Sequence, residues 1–167
     1  MKYVLENFIQ KQDALIFIKY FNKNQHLCDD NREHHKHRNI HYCDIPDLQI
    51  KELLKYYENK LIYFIDHYFI VKTRAFNEPR LVRWNKNESM PLHCDQNYDL
   101  KDNMDYSALS YLNDNYEGGE LFFEDGQVLK MKALNSIIFP SSSPYGHGVK
   151  TIKKGKRYTI PSWYKIK

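Results

Sequence analysis

The sequence predicts a mainly β fold with a helical flank on its N-terminal side, a sandwich or barrel of short strands. Three observations predict it. Apolar residues recur at helical spacing over roughly the first 70 of 167 positions, and from Lys72 onward the period changes to two. Turn residues then punctuate the chain at short intervals, at Asn113 to Gly119, Asp125-Gly126 and Lys154-Gly155. A chain of this length fits one domain, so residues 1–70 are assigned as helical support and 71–167 as the β core of a single unit.

The elements follow in order. "DALIFIKYFNK" sets Leu15, Ile18 and Phe21 on one side of a helix that Asp13 can cap. "IPDLQIKELLKYYENKLIYFIDHYF" is the second helix, entered after Pro46 and capped by Asp47, with Leu48, Leu54, Tyr57, Leu61, Ile65 and Phe69 as its stripe. Between them lies "HLCDDNREHHKHRNIHYCD", whose Cys28, His34, His35, His37, His41 and Cys43 suit zinc by type. Their spacing matches no paired-ligand pattern, so the segment is expected to be a charged loop. The strands are "KTRAFNEPRLVRW", "SALSYLN", "GGELFFED", "QVLKMKAL", "NSIIFP" and "RYTIPSWYKI".

Composition narrows the class. The three cysteines, Cys28, Cys43 and Cys94, are odd in number and far apart, which argues against a disulfide scaffold and for a reducing compartment. The opening "MKYVLENFIQKQD" holds Glu6 and Gln10 within its apolar part and does not read as a signal peptide. The longest apolar run, Leu61 to Ile65, is far below the roughly 20 residues that span a bilayer. A cytoplasmic protein with no membrane partner is therefore expected. The net charge of +4 hides an asymmetry, with nine acids between Asp95 and Asp125 and seven bases between Lys150 and Lys167. The acidic stretch raises the expectation of a basic substrate. The basic end is more simply a solvated strand and turn than a nucleic-acid surface.

The chemistry gathers around "PLHCDQNYD". On a strand, residues two apart face one side, so His93 and Asp95 can reach one ion while Cys94 turns away. Non-haem iron(II) takes two histidines and a carboxylate on one face and keeps its other positions open. "PSSSPYGHGVK" supplies a second histidine, His147, between glycines that let backbone approach closely. Ten residues on, Arg157 heads the last strand. An inward guanidinium there needs an anion, and a dicarboxylic acid chelating the metal could offer its far carboxylate as a bidentate partner. Tyr111 could add its hydroxyl.

The segments "RLVRW…MPLHCD", "ALSYLNDNYEGGELFF", "NSIIFPSSSPYGHGV" and "GKRYTIPSWY" run in the order and spacing of the iron(II)- and 2-oxoglutarate-dependent dioxygenases. Over about residues 70–165 the chain resembles the prolyl 4-hydroxylase-type branch of that superfamily. The resemblance implies a double-stranded β-helix, or jelly-roll, core. It implies that His93, Asp95 and His147 ligate Fe(II), that Arg157 holds the distal carboxylate of 2-oxoglutarate helped by Tyr111, and that Leu121 and Trp163 wall the pocket. It further implies a proline-containing peptide or protein as substrate. Oxygen and 2-oxoglutarate would be consumed, succinate and carbon dioxide released, and ascorbate would act as an accessory.

Two departures stand out. Trp84 occupies a place where the family often has a tyrosine, and its indole can donate but not accept. Pro161 interrupts the last strand, implying an edge or a bulge there. Asp95 separates the chain from related halogenases, whose residue at that position is small. Two other functions compete. One is a 2-oxoglutarate dioxygenase acting on nucleic acid or a free amino acid. The dealkylating branch carries a second arginine shortly after the first, and Tyr158 to Tyr164 contain none. The other is a non-catalytic jelly-roll module that binds metal or ligand without turnover.

Overall fold

The computed structural model describes residues 1–29, 37–96 and 103–167. A short strand, β1 (Tyr3–Leu5), leads into helix α1 (Lys11–Lys23). This helix buries Ala14, Phe17 and Phe21, so its core stripe is rotated from the expected one and Leu15 stays 44 % exposed. Both stripes fit helical spacing, and the one carrying two phenylalanines removes more apolar surface from water. Nor is Asp13 the cap. Gln10 holds that place without a side-chain bond, and Asp13 in the first turn instead accepts a 2.5 Å hydrogen bond from the Tyr57 hydroxyl.

The region expected to be a loop contains strand β2 (Arg38–His41), where Asp29 ties down both Asn39 (3.2 Å) and His41 (3.1 Å). His34 and His35 fall outside the described residues. None of Cys28, Cys43 and Cys94 forms a disulfide. Helix α2 (Leu48–Phe69) starts as its sequence predicts, with the Asp47 carboxylate accepting from the backbone N–H groups of Gln49 (3.0 Å) and Ile50 (3.3 Å). Its buried face is Ile50, Leu54, Tyr57, Leu61 and Ile65, joined by Glu58, while Leu48 at the first position is 72 % exposed. Among the described residues no helix is long and apolar enough to cross a membrane.

The β part comprises β3 (Thr73–Asn77), β4 (Arg80–Trp84), β5 (Met90–His93), β6 (Tyr106–Tyr111), β7 (Glu117–Gly118) and β8 (Leu121–Phe123). It continues with β9 (Val128–Leu129), β10 (Ser136–Pro140), β11 (His147–Val149), β12 (Ile152–Lys154) and β13 (Arg157–Ile166). "QVLKMKAL" thus yields only a two-residue strand, after which Met131 turns into the core. All pairings are antiparallel. A seven-stranded sheet runs β1-β10-β6-β13-β4-β2 with β3 also on β13, and a four-stranded sheet runs β5-β11-β8-β9.

Alternation along the large sheet creates two compartments. Leu81, Tyr158, Ile160 and Tyr164 face the helices and share one core with Phe17, Phe21, Leu54, Leu61 and Ile65. Val82 and Trp84 of β4, Leu109 of β6 and Arg157, Thr159, Pro161 and Trp163 of β13 face the small sheet and line a cavity. This is the expected double-stranded β-helix with helices backing the larger sheet.

Pro161 does not mark an edge, because β13 is the central strand, paired with β6 from Thr159 to Tyr164. On its other side β4 pairs end at Thr159 and β3 pairs begin at Trp163, with a register shift just beyond. Proline therefore falls in the gap between two neighbouring strands, where no ladder partner waits for the missing N–H.

Phe17→Ala is expected to cost about 3–5 kcal/mol in urea denaturation, and Leu15→Ala about 1 kcal/mol or less. Equal losses would place the packed face of α1 elsewhere.

Candidate active site

The register of one strand pair builds the site. β11 lies against β5 with His147 directly opposite His93, and opposite residues of an antiparallel pair hold their Cβ atoms about 4.5–5.5 Å apart. The two imidazole centroids are 4.6 Å apart. Asp95, two residues on, comes to the same spot, with Oδ1 3.4 Å from His93 Nε2 and Oδ2 3.7 Å from His147 Nε2. One ligand atom from each residue falls within 4.8 Å of the others. Gly148 permits the tight pairing, since a Cβ there would meet the Met90 carbonyl oxygen at 2.7 Å and the Phe122 ring at 2.4 Å.

Neighbouring groups orient these side chains. His93 Nδ1 lies 3.0 Å from the Pro91 carbonyl oxygen, so in the neutral ring the proton belongs on Nδ1 and Nε2 is the atom free to ligate. The Ser107 hydroxyl donates to Asp95 Oδ2 at 2.5 Å and is itself paired with Ser141 at 2.8 Å. His147 is buried against the Phe139 ring, 4.8 Å between centroids. Burial alone would raise the Asp95 pKa, but hydrogen bonds from His93 and Ser107 and the charge of the two imidazoles hold it at about 2. For His93, burial pulls down and the bonds to Asp95 and Pro91 win, raising its pKa. For His147, burial wins and lowers it. The cluster therefore presents an anionic carboxylate and a neutral buried imidazole. Two imidazoles and one oxygen anion are the donor set of a non-haem iron(II) site.

Arg157 lies in the same cavity. It is 1 % exposed, and among the described residues it has no carboxylate within 4.0 Å and no hydrogen bond to its Nε. Its guanidinium sends an N–H to the Tyr111 hydroxyl at 3.0 Å and also meets the Tyr116 phenol, and its central carbon lies 4.9 Å from the Tyr111 ring centroid and 5.5 Å from that of Trp84. Trp84 stands opposite Arg157 across β4 and β13 and carries His37 on its ring at 4.2 Å. Gly119, at φ +69°, lets the turn close on this corner, where a Cβ would meet Ile152 at 2.4 Å and the Arg157 stem at 3.3 Å. A buried cation held by phenols and two aromatic faces is a site for an anion.

The cavity has a volume of about 610 Å³. Every predicted site residue reaches it except Tyr111, which is fully buried behind Arg157 and fixes that guanidinium from the rear. Leu121 and Trp163 line the cavity as expected, and Trp84, the departure from the family pattern, lines it as well. Sequence reasoning missed Ser107, Arg80 and Tyr116. The first two share a strand face with predicted residues, Ser107 with Tyr111 and Arg80 with Trp84, so period two could have found them. Tyr116, from the turn before Gly118, lies beside Arg157. Burial pushes its phenol up to about 12 even against that charge.

A jelly-roll whose cavity joins a two-histidine, one-carboxylate cluster to a buried guanidinium defines a non-haem oxygenase with an acidic cosubstrate. The chain belongs to the 2OG-Fe(II) oxygenase superfamily, whose model matches residues 79–165, just over half of it. Membership of that superfamily implies an enzyme that uses Fe(II), 2-oxoglutarate and O2. Human prolyl 3-hydroxylase 2 is 40% identical over 68 residues, which cover 37% of this chain and 10% of that protein, so the match spans about a tenth of this relative's length. The viral collagen prolyl hydroxylase of Paramecium bursaria Chlorella virus-1, in complex with 2-oxoglutarate, superposes with a TM-score of 0.78 at 18% identity over 98% of this chain and 94% of that one. A Pseudomonas putida prolyl-4-hydroxylase gives 0.77 at 18% identity, covering 99% and 92%.

Removing an unpaired buried cation relieves its desolvation. Arg157→Met is therefore expected to hold or raise the melting temperature of the ligand-free chain, while the stabilisation that 2-oxoglutarate with metal gives the native protein disappears. A large fall in the ligand-free melting temperature would show the guanidinium to be a structural contact.

Proposed function

We propose that this enzyme hydroxylates a prolyl residue in a peptide or protein, with His93, Asp95 and His147 as the metal ligands and Arg157 as the anchor for the distal carboxylate of 2-oxoglutarate. The supporting observation is the pairing, in one cavity, of a candidate ligand cluster within 4.8 Å and a buried guanidinium that has no carboxylate partner among the described residues. The likeness to prolyl hydroxylases in sequence and in fold supports proline as the target.

Each residue has a definite task. His93 and His147 offer Nε2 from facing strands, and Asp95 offers an oxygen whose rotation Ser107 fixes. Arg157, steadied by Tyr111, fixes how deep the diacid can enter and which end of it reaches the ligand cluster. Leu121, Phe139 and Val149 keep water from the space between them. Bound at the cluster, iron(II) supplies the oxidising chemistry that turns O2 and 2-oxoglutarate into succinate, carbon dioxide and a hydroxyl group on the substrate. Ascorbate serves as an accessory reductant.

Incubation of proline-containing peptides with enzyme, iron(II), 2-oxoglutarate and ascorbate should add one oxygen by mass spectrometry, and His93→Ala should add none. Succinate formation without any hydroxylated peptide would overturn proline as the target. Metal binding must also displace the proton that Asp95 helps His93 retain, so Fe(II) affinity should rise as pH increases through and above 6.5, with protons released on binding. An anaerobic titration showing the same affinity from about pH 5 to about pH 8 would remove His93 from the ligand set.

A further inference from the structure

We infer that Arg80 selects the substrate by pairing with a carboxylate beside the target proline. This rests on the prolyl-hydroxylase reading and gives its substrate a chemical character.

The geometry is a crossed pair of arginines and tryptophans. β4 turns Arg80 and Trp84 to the cavity, and β13 turns Arg157 and Trp163 to it. Arg157 lies on Trp84 at the deep end, and Arg80 lies on Trp163 at the other end, with its guanidinium carbon 4.4 Å from the indole centroid. Four residue steps along β4 separate Arg80 from Trp84, about 13 Å of backbone. A small diacid anchored on Arg157 therefore leaves Arg80 to another group.

Arg80 is only part-buried where Arg157 is sealed, which places it toward the mouth. Among the described residues it has neither an ion pair nor a hydrogen bond. A guanidinium held over an indole by its charge still has N–H groups to offer, and these can meet a carboxylate with two parallel hydrogen bonds.

The charge balance of the cavity points the same way. Two guanidiniums, Arg80 and Arg157, line it against one carboxylate, Asp95, and that carboxylate already faces two imidazoles. The described part of the acidic stretch that suggested a basic substrate does not alter this; Asp99 and Asp102 lie outside the described residues. Of its described members, Asp105 accepts from the Ile166 N–H at 2.8 Å, Asp114 from the Ala133 N–H at 3.1 Å and Asp125 from Lys2 at 2.6 Å, while Glu117 pairs with Lys154 at 3.5 Å. None of these acids lines the cavity. A basic residue next to the proline would approach a cation that Asp95 and Asp29 attract only from a distance, and an acidic one would pair with it directly.

The carboxylate can come from an Asp or Glu side chain flanking the proline or from the main-chain terminus of proline itself. The test uses blocked peptides with Glu or Gln on either side of one proline, and L-proline with its amide. Hydroxylation is followed with Fe(II) and 2-oxoglutarate, and binding separately with Mn(II) in place of Fe(II). The acid of at least one pair should exceed its amide by about tenfold or more in kcat/KM and in affinity, the difference lying in KM. A preference among blocked peptides assigns the side chain as source, and one confined to L-proline assigns the terminus. Arg80→Gln should bring the ratio near one, and Arg80→Lys should keep part of it. Because the readout is a ratio within each variant, a general loss of folding does not mimic it. A ratio of one in the native enzyme, or a ratio that survives Arg80→Gln, overturns the inference. Binding that discriminates through Arg80 without hydroxylation of any probe leaves the carboxylate subsite standing and overturns proline hydroxylation instead.

Discussion

The register between β5 and β11 is the constraint on which the chemistry depends. His93 and His147 are distant in sequence and meet only because they are directly opposite in one antiparallel pair. A slip of a single residue would turn His147 to the outer face of the small sheet and bring Gly148 inward. Two features hold the register. Gly148 lets Met90 and Phe122 close on β11 from both sides, and a shift between His147 and Val149 ends regular pairing just beyond the histidine. The short sheet is thus locked at the one position where locking matters.

The two sheets divide the work. The small sheet brings both imidazoles, and Asp95 follows the end of β5. The large sheet brings Ser107, Arg157, Trp84, Arg80 and Trp163. The ligand cluster and the guanidinium anchor therefore sit on separate layers, and their distance is set by sheet packing, about 10 Å face to face. The helices meet neither. Their part is to bury the other face of the large sheet, where Tyr158, Ile160 and Tyr164 alternate with the cavity residues of β13. Packing on one face thus fixes side-chain direction on the other.

This alternation explains how much was legible in the sequence. The two helices, most of the later strands, the Asp47 cap and the proximity of His93 to Asp95 follow from local spacing, while His147 and Arg157 enter only through the order of separate motifs. What escaped was whatever depends on a non-local partner. Leu15 and Phe17 satisfy helical periodicity equally, and only contact with Tyr57 and the sheet chooses between them. β2 is a strand because β4 offers an unpaired edge, although His, Asn and Arg give it little strand propensity. Pro161 is tolerated inside a central strand because two neighbours leave a gap beside it, and no reading of the last strand alone contains them. Ser107 differs from these. Its place on the face of Tyr111 was legible, but its hydrogen bond to Asp95 needed the fold.

The cavity leaves a net positive balance, and that balance links stability to function. An arginine buried against aromatic rings loses hydration worth several kcal/mol, and a ring face returns only about 2 kcal/mol. With the phenols of Tyr111 and Tyr116 as its side-chain partners and no carboxylate within 4.0 Å among the described residues, Arg157 remains short of compensation until an anion arrives. The same holds in milder form for Arg80 on Trp163, where partial exposure softens the cost. Replacing either cation by a neutral side chain would lower that cost at once, so fold stability does not account for their presence. Anionic ligands do. Each carboxylate that enters recovers electrostatic free energy already spent in the empty fold, and two such cations at opposite ends of one cavity fix both the identity and the direction of what can bind.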